Sequence, residues 1–456
     1  MRGALGTAAV AAGLAASVVS AHAQDAHYWT HQYGTRATLL GGAVIGSVLE
    51  VSATYYNPGA LALLEDAALI ATSRVLEYGR LNLRDPQGDG GGLTSTRFDP
   101  APGFFGGLLP FRLGNKHVFG YSGFTRQRFQ NEMVSAGTLT GDALPGGGPE
   151  TVASLIEISQ DLSESWYGLS WGYALGRRAG IGLSTFVTYR SQRGLSRVEL
   201  QVADTIGQNA VSRSENFAKM SHIGLLLKGG IAWEWLGASL GLTVTTPRLG
   251  LRGSGDIRYN RTLAGADIDG DGEPDPLAAV TYQNGLPVTY RSSWAIGIGG
   301  MKQFGATRLH VSSEWYAPVD SFPVFDPAPF LLQPTGDTIR ADLSYALQGV
   351  FNVGLGVEHA FRPWLSGFAS FQTNFSARPA GAPTSLSLSS WDAYYVTAGT
   401  AFRFQGSDVT LGLSYGRGAD EISYAPGQPP DPIQDLIPET LGVRYRSIRF
   451  ILAFSL

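Results

Sequence analysis

The sequence predicts an all-β fold: a transmembrane antiparallel β-barrel of about fourteen strands with an N-terminal hatch in its lumen. Three observations carry this. Several stretches alternate strictly between large apolar and small or polar residues. Tight turns alternate with long Gly-, Pro- and Asp-rich connections. Of 456 residues 60 are Gly, 11% are aromatic and only 15% are charged, a balance unlike that of a soluble chain of this length. There is no cysteine, which excludes disulfides, thiolate metal sites and a Cys nucleophile. The net charge of −4, with no basic cluster, argues against a nucleic-acid partner.

Taken in order, residues 1–23 have the features of a signal peptide. Arg2 is the positive start, ALGTAAVAAGLAASVV a short apolar run, and Ala21-His22-Ala23 a cleavage site, so the mature chain begins at Gln24. The next apolar stretch, residues 37–49, is interrupted by Gly41, Gly42 and Gly46 and is shorter than the ~20 residues of a spanning helix. Residues 24–65 are too apolar for a free tail and lack strand alternation. A barrel of about fourteen strands has a lumen wider than its own side chains fill, so this segment is read as a hatch domain inside it.

Residues 66–456 are read as the barrel. In ESWYGLSWGYAL the odd positions Tyr167, Leu169, Trp171, Tyr173 and Leu175 form an apolar row, against Gly168, Ser170, Gly172 and Ala174. VTLGLSYG (409–416) repeats the pattern, and 181–190, 236–246, 350–361 and 394–404 resemble it. A lipid-facing row alternating with a small or polar lumen row is the signature of a membrane strand. The tight turns are 176–180, 231–237, 302–306, 361–364 and 405–408. The long connections, near 84–102, 131–163, 202–218, 256–286, 318–340, 377–391 and 418–440, are placed outside the cell. SIRFILAFSL supplies a closing strand, although it ends in Leu456 rather than an aromatic.

GTRATLLGGAVIGSVLEVSATYYNPGALALL resembles the N-terminal hatch of the outer-membrane hydrophobic-compound and long-chain fatty-acid transporters, the FadL/TodX type. Asn57 and Pro58 match that family's Asn-Pro-Ala motif, and Gly59 stands where alanine is usual. The resemblance spans essentially the whole mature chain. It implies passive uptake of fatty acids or aromatic hydrocarbons across the outer membrane of a Gram-negative cell. Capture by loops, a pocket against the hatch and lateral release would follow one another, in a monomer inserted by the barrel assembly machinery among lipid and lipopolysaccharide. It also implies a wall gap at a kink in strand three, where HVFGYSGFTRQRF offers Gly120 and Gly123; glycine is frequent in every strand here. No catalytic residue and no required cofactor are implied.

The sharpest remaining motif is ADIDGDGEPDP. Asp267, Asp269, Asp271 and Asp275 with two glycines offer the oxygen-rich tight loop that calcium prefers, without the EF-hand's terminal Glu. An acidic solvated loop is the alternative. GLSWG and GLSYG match the hydrolase nucleophile elbow, but both lie inside alternating strands rather than at a strand-to-helix turn. His27 and His31, spaced i and i+4, lack a third ligand. Leu155 and Ile156 fit either an amphipathic loop helix at the mouth or a longer fourth strand. Phe322, Phe325 and Phe330 fit either ligand capture or loop packing. The rival functional reading is a structural or adhesive barrel with calcium-binding surface loops.

Overall fold

The computed structural model describes residues 27–48, 50–64, 69–71, 74–84, 92–101, 103–110, 114, 116–141, 144, 150–203, 209–267, 273–379, 389–404, 407–423, 433–434 and 440–455. The predicted leader lies outside them. One large antiparallel sheet holds eighteen hydrogen-bonded segments, of which four pairs are the halves of interrupted strands, giving fourteen strands among the described residues. These are β1 (Leu69–Ala71 and Arg74–Arg84), β2 (Gly92–Ala101 and Phe104–Leu108), β3 (His117–Gly141), β4 (Glu150–Ala174) and β5 (Ala179–Ala203). They continue as β6 (Asn209–Trp235), β7 (Ala238–Thr245 and Leu249–Ala264), β8 (Leu277–Pro287 and Ala295–Phe304) and β9 (Thr307–Tyr316). The set closes with β10 (Val350–Arg362), β11 (Leu365–Asn374), β12 (Asp392–Phe404), β13 (Ser407–Ser423) and β14 (Thr440–Ser455).

Each strand pairs with the next, and β14 pairs back with β1 from Arg74↔Leu452 to Arg84↔Gly442. The hydrogen-bond ladder therefore returns to its start, which is how a sheet satisfies its backbone in lipid. Near the tight turns the outward row is apolar: Tyr167, Leu169, Val187, Leu227, Leu240, Leu242, Leu411 and Leu413 are exposed. The inward row is small and polar, with Ser170, Ser184, Thr243, Ser312, Ser370 and Thr410 buried. Trp233 stacks on Trp235, and Trp364 on Phe402, beside the short turns after β6 and β10. Such aromatics mark the membrane–water interface.

The strands run much further than the alternation suggested. β3, β4 and β5 are 25 residues long and β6 is 27, whereas ~9–11 residues cross a membrane. Most of the stretches expected as loops at 131–163, 202–218 and 256–286 are strand. The reason is an inversion of polarity along the wall. Beyond the membrane the outward row turns charged, and Arg197 pairs with Glu157 and Glu215 at 3.0 and 2.8 Å while Arg258 pairs with Glu215 at 2.7 Å. The inward row turns apolar instead, with Val152, Ile156, Val198, Leu200, Val202, Leu263 and Val443 in one buried cluster.

Residues 27–64 lie against the inward face at the opposite end. They form α1 (Thr35–Leu39), α2 (Ala53–Tyr56) and a 3-10 helix (Pro58–Leu63). Gly34 precedes α1 with φ of 97°, which suits glycine. The Glu50 carboxylate then accepts from Thr35 N at 2.9 Å and Ala37 N at 3.1 Å, satisfying donors that so short a helix leaves open.

Candidate functional site

The Asn57-Pro58-Gly59 turn is held by the wall itself. Asn57 is fully buried in extended backbone between α2 and the 3-10 helix, and Pro58 occupies the first helical position. The Asn57 side-chain amide donates to Ile45 O at 2.8 Å within the segment and to Ile231 O of β6 at 2.9 Å. Its Oδ1 accepts from Gly59 N at 3.1 Å. Beneath it the inward face of the wall is bare. Gly182 meets the Pro58 carbonyl, Gly230 meets the Asn57 side chain, and Gly241 meets the Ile45 carbonyl, each closer than any Cβ would allow. The departure at Gly59 has the same cause: a Cβ there would lie 2.7 Å from Gly230 O and 2.9 Å from Gly180 O.

Further polar contacts tie the segment around the ring. Ser184 Oγ of β5 donates to Thr54 O at 2.7 Å, and Ile45 N donates to Ser312 Oγ of β9 at 3.0 Å. Ser370 and Gln372 of β11 donate to Leu39 O and Trp29 O, both at 2.9 Å. Arg449 of β14 donates to Thr30 O at 2.6 Å, and Arg36 forms an ion pair with Glu358 of β10. Tyr33, Tyr55 and Phe124 pack in one aromatic cluster, and burial pushes the Tyr55 phenol up to about 12 and Tyr33 and Tyr56 well above their ordinary range.

The wall is interrupted between β2 and β3. Their ladder runs from Leu108↔Gly120 to Phe104↔Phe124 and stops. At the next position β3 bulges: Thr125 pairs with Ser165 but Gln127 with Glu164, so Arg126 is an extra residue. A bulge bends its strand and re-aims side chains, and here Arg126 and Gln127 are both buried inward. Gly120 and Gly123, the expected kink residues, lie in regular ladder below it. Gly123 instead makes room for the Phe105 ring. Tyr33 OH donates to Thr125 O at 2.5 Å, linking residues 27–64 to the bulge.

Above the bulge, among the described residues, no backbone ladder joins 92–101 to β3. Side chains bridge the seam: Arg97 bonds Gln130, and Glu132 N donates to Ser95 Oγ at 3.4 Å. Behind the seam is a cavity with ≈ 850 Å³ of empty space, part of it open to solvent, lined by Leu81, Ser95, Arg97, Phe129, Trp391 and Tyr445 among others. His27 and His31 border it. His27 Nε2 lies 2.7 Å from Trp391 O. Among the described residues no group of three His, Cys, Asp or Glu is placed to hold a metal.

The other expected residues are distributed as follows. Leu155 and Ile156 are in β4, so the longer strand is the right alternative and there is no loop helix; Ile156 is buried in the outer apolar cluster. Phe322 and Phe325 are buried with Val288, Tyr290 and Tyr345, and Phe330, half-buried, lies 5.4 Å from the Tyr259 ring. Ser170 and Ser414, the centres of the two elbow-like motifs, are mid-strand and bond Ser184 and Thr397. Asp269 and Asp271 lie outside the described residues; Asp267 and Asp275 flank them, with Asp275 N donating to Ala266 O at 2.8 Å. The bulge at Arg126 was missed. Its trace in the sequence is a phase shift, with outward residues odd-numbered at Phe119 and Tyr121 but even-numbered at Val134.

No family model and no curated protein matches the chain by sequence. Solved structures do match by fold. A FadL homologue of Pseudomonas aeruginosa aligns with TM-score 0.56 at 12% identity, over 94% of this chain and 99% of that one. The Pseudomonas putida toluene transporter TodX aligns with TM-score 0.56 at 13% identity, over 93% and 98%. The CymD monoaromatic hydrocarbon channel aligns with TM-score 0.53 at 14% identity, over 93% and 97%. The chain therefore has the FadL/TodX-type fold along essentially its whole described length.

Proposed function

We propose that this protein mediates passive uptake of hydrophobic small molecules across an outer membrane. Solute would be drawn into the apolar interior of the extracellular wall, lodge in the cavity behind β2 and β3, and leave sideways through the seam into lipid. Residues 27–64 would serve as the hatch that keeps the lumen shut to water. The observation that carries the reading is the coincidence of three features at one height: the end of the β2–β3 ladder, the Arg126 bulge and the cavity. The polarity inversion supports it, because an apolar interior above the membrane has no use in a water channel. A sealed adhesive barrel would need neither a cavity nor an unpaired seam. The solved structures of like fold are a FadL homologue and hydrocarbon transporters, so toluene and a long-chain fatty acid are the first solutes to try. Cells carrying the protein should take up one of these several-fold faster than cells lacking it. Equal rates for both solutes would remove the reading.

A further inference from the structure

β7 and β8 are broken at one height. Residues 246–248 interrupt the first and 288–294 the second, and the ladder between them holds only above Ser254↔Pro287 and below Thr245↔Ala295. Across the interval Val288 N reaches Gly253 O at 3.5 Å, and Arg248 N donates to the Ser292 hydroxyl at 2.8 Å. β6 pairs with β7 on both sides of the break, from Thr245↔Lys228 below to Leu249↔Leu225 above, so the opening lies on the β8 side. Outside it Leu249, Leu251 and Trp294 are exposed.

Inside lies a second cavity, lined from both flanks by Thr246 and Ser293 and from the lumen by Arg126, Arg248, Lys228 and Glu314. Its charges do not balance. Glu164 is shared by Arg248 at 2.5 Å and Arg190 at 3.0 Å, and Glu314 takes Lys228 at 3.5 Å. Among the described residues no carboxylate pairs with Arg126, which is 4% exposed and stacked 5.7 Å from the Tyr55 and Trp166 rings. Nη1 of Arg126 and Nη1 of Arg248 have no hydrogen-bond partner. A buried guanidinium with open donors calls for an anion. Gln127 lines this cavity and not the one behind the seam, donating to His27 O at 2.8 Å and accepting from Arg190 at 2.8 Å.

We propose that the β7–β8 break is a second lateral portal, through which an amphiphile from the outer leaflet sets an oxyanion head on Arg126 and Arg248. Its tail stays in lipid along Leu249, Leu251 and Trp294. The site is independent of whichever solute crosses the β2–β3 seam.

The test titrates full-length protein in maltoside detergent with dodecyl phosphate, dodecanoate and uncharged dodecanol by calorimetry. At least one of the two anions should bind saturably, and dodecanol about tenfold more weakly; which anion binds separates a phosphate from a carboxylate head. Arg126→Gln should weaken the anion about tenfold and Arg126→Lys restore much of it, with dodecanol unchanged. A dodecanoate analogue with a diazirine in its tail, bound to the unaltered protein, should cross-link to residues 246–253 and 288–294. Cross-links confined to 92–101 and 127–131 would overturn the portal. Equal affinity for dodecanol, or an Arg126→Gln variant that binds anions as before, would overturn the oxyanion site.

Discussion

Asn57 is the residue whose surroundings say most about how residues 27–64 are held against the wall. It has no contact with solvent, and its side chain makes three hydrogen bonds, one of them to the wall. At about 1 kcal/mol each, these hold the turn without making it permanent. Asn57→Ala should therefore speed hydrogen exchange over residues 27–64 while the strands stay protected; unchanged exchange would mean the turn is held by packing alone. Gly59→Ala should act in the same direction by overpacking, at about 1–3 kcal/mol, since its Cβ would press on two wall carbonyls. The Asn57-Pro58 turn was legible from its match to a family motif and its place before the strands. The need for glycine at 59 was not, because its partners Gly180 and Gly230 come from strands far away in sequence. The tyrosines add a pH dependence. Burial raises the Tyr55 pKa to about 12, so the contribution of its neutral form is fully present below pH ~10 and is lost as pH climbs through about 12. Phenolate absorbance followed with pH should include a component near 12 that Tyr55→Phe removes, leaving the later titration of Tyr33 and Tyr56 in place.

At the scale of the element, the alternation in the sequence identified the apolar-faced part of several strands and underestimated the rest. The reading depended on an outward apolar row, and that row ends where Glu157, Arg197, Glu199 and Arg213 begin. The strand continues because the inward row takes over the burial. Period two persists, with the faces exchanged. The β3 bulge was obscured for a related reason: one extra residue preserves composition and changes only phase. Its consequence is the seam, where bonds through the Arg97, Gln130 and Ser95 side chains stand in for a ladder. Such bonds open more readily than paired backbone. Cysteines at Arg97 and Gln130, in a chain with none of its own, should form a bridge that stops hydrophobic uptake under oxidising conditions and releases it on reduction. Uptake that continues through a verified bridge would place the exit elsewhere.

At the scale of the whole molecule, the ring and its filling are separable in their bonding. The wall's ladder closes from β14 to β1 using backbone alone, and none of those bonds involves residues 27–64. Those residues in turn rest on a face kept small for them, with Leu39 against Gly399 and Gly412, Leu40 against Gly356, and Gly46 against Gly299. Glycine abundance, visible in the composition at once, therefore reflects the face that the segment packs on as well as the strands that carry it. Removing the segment would leave an inward face of glycines and short hydroxyl side chains, with a few longer polar ones such as Arg449, Gln372 and Glu358. Deleting residues 24–57 should accordingly leave a barrel that still resists heat in detergent. It should also add a steady water-filled conductance in planar bilayers, absent from the intact protein. Because the polar tethers Ser184, Ser312, Ser370 and Arg449 would then face open solvent, the pore should pass small ions rather than close by apolar contact. A deletion variant that folds yet conducts no more than the intact chain would show that another part of the molecule closes the lumen, and the hatch reading would fail with it.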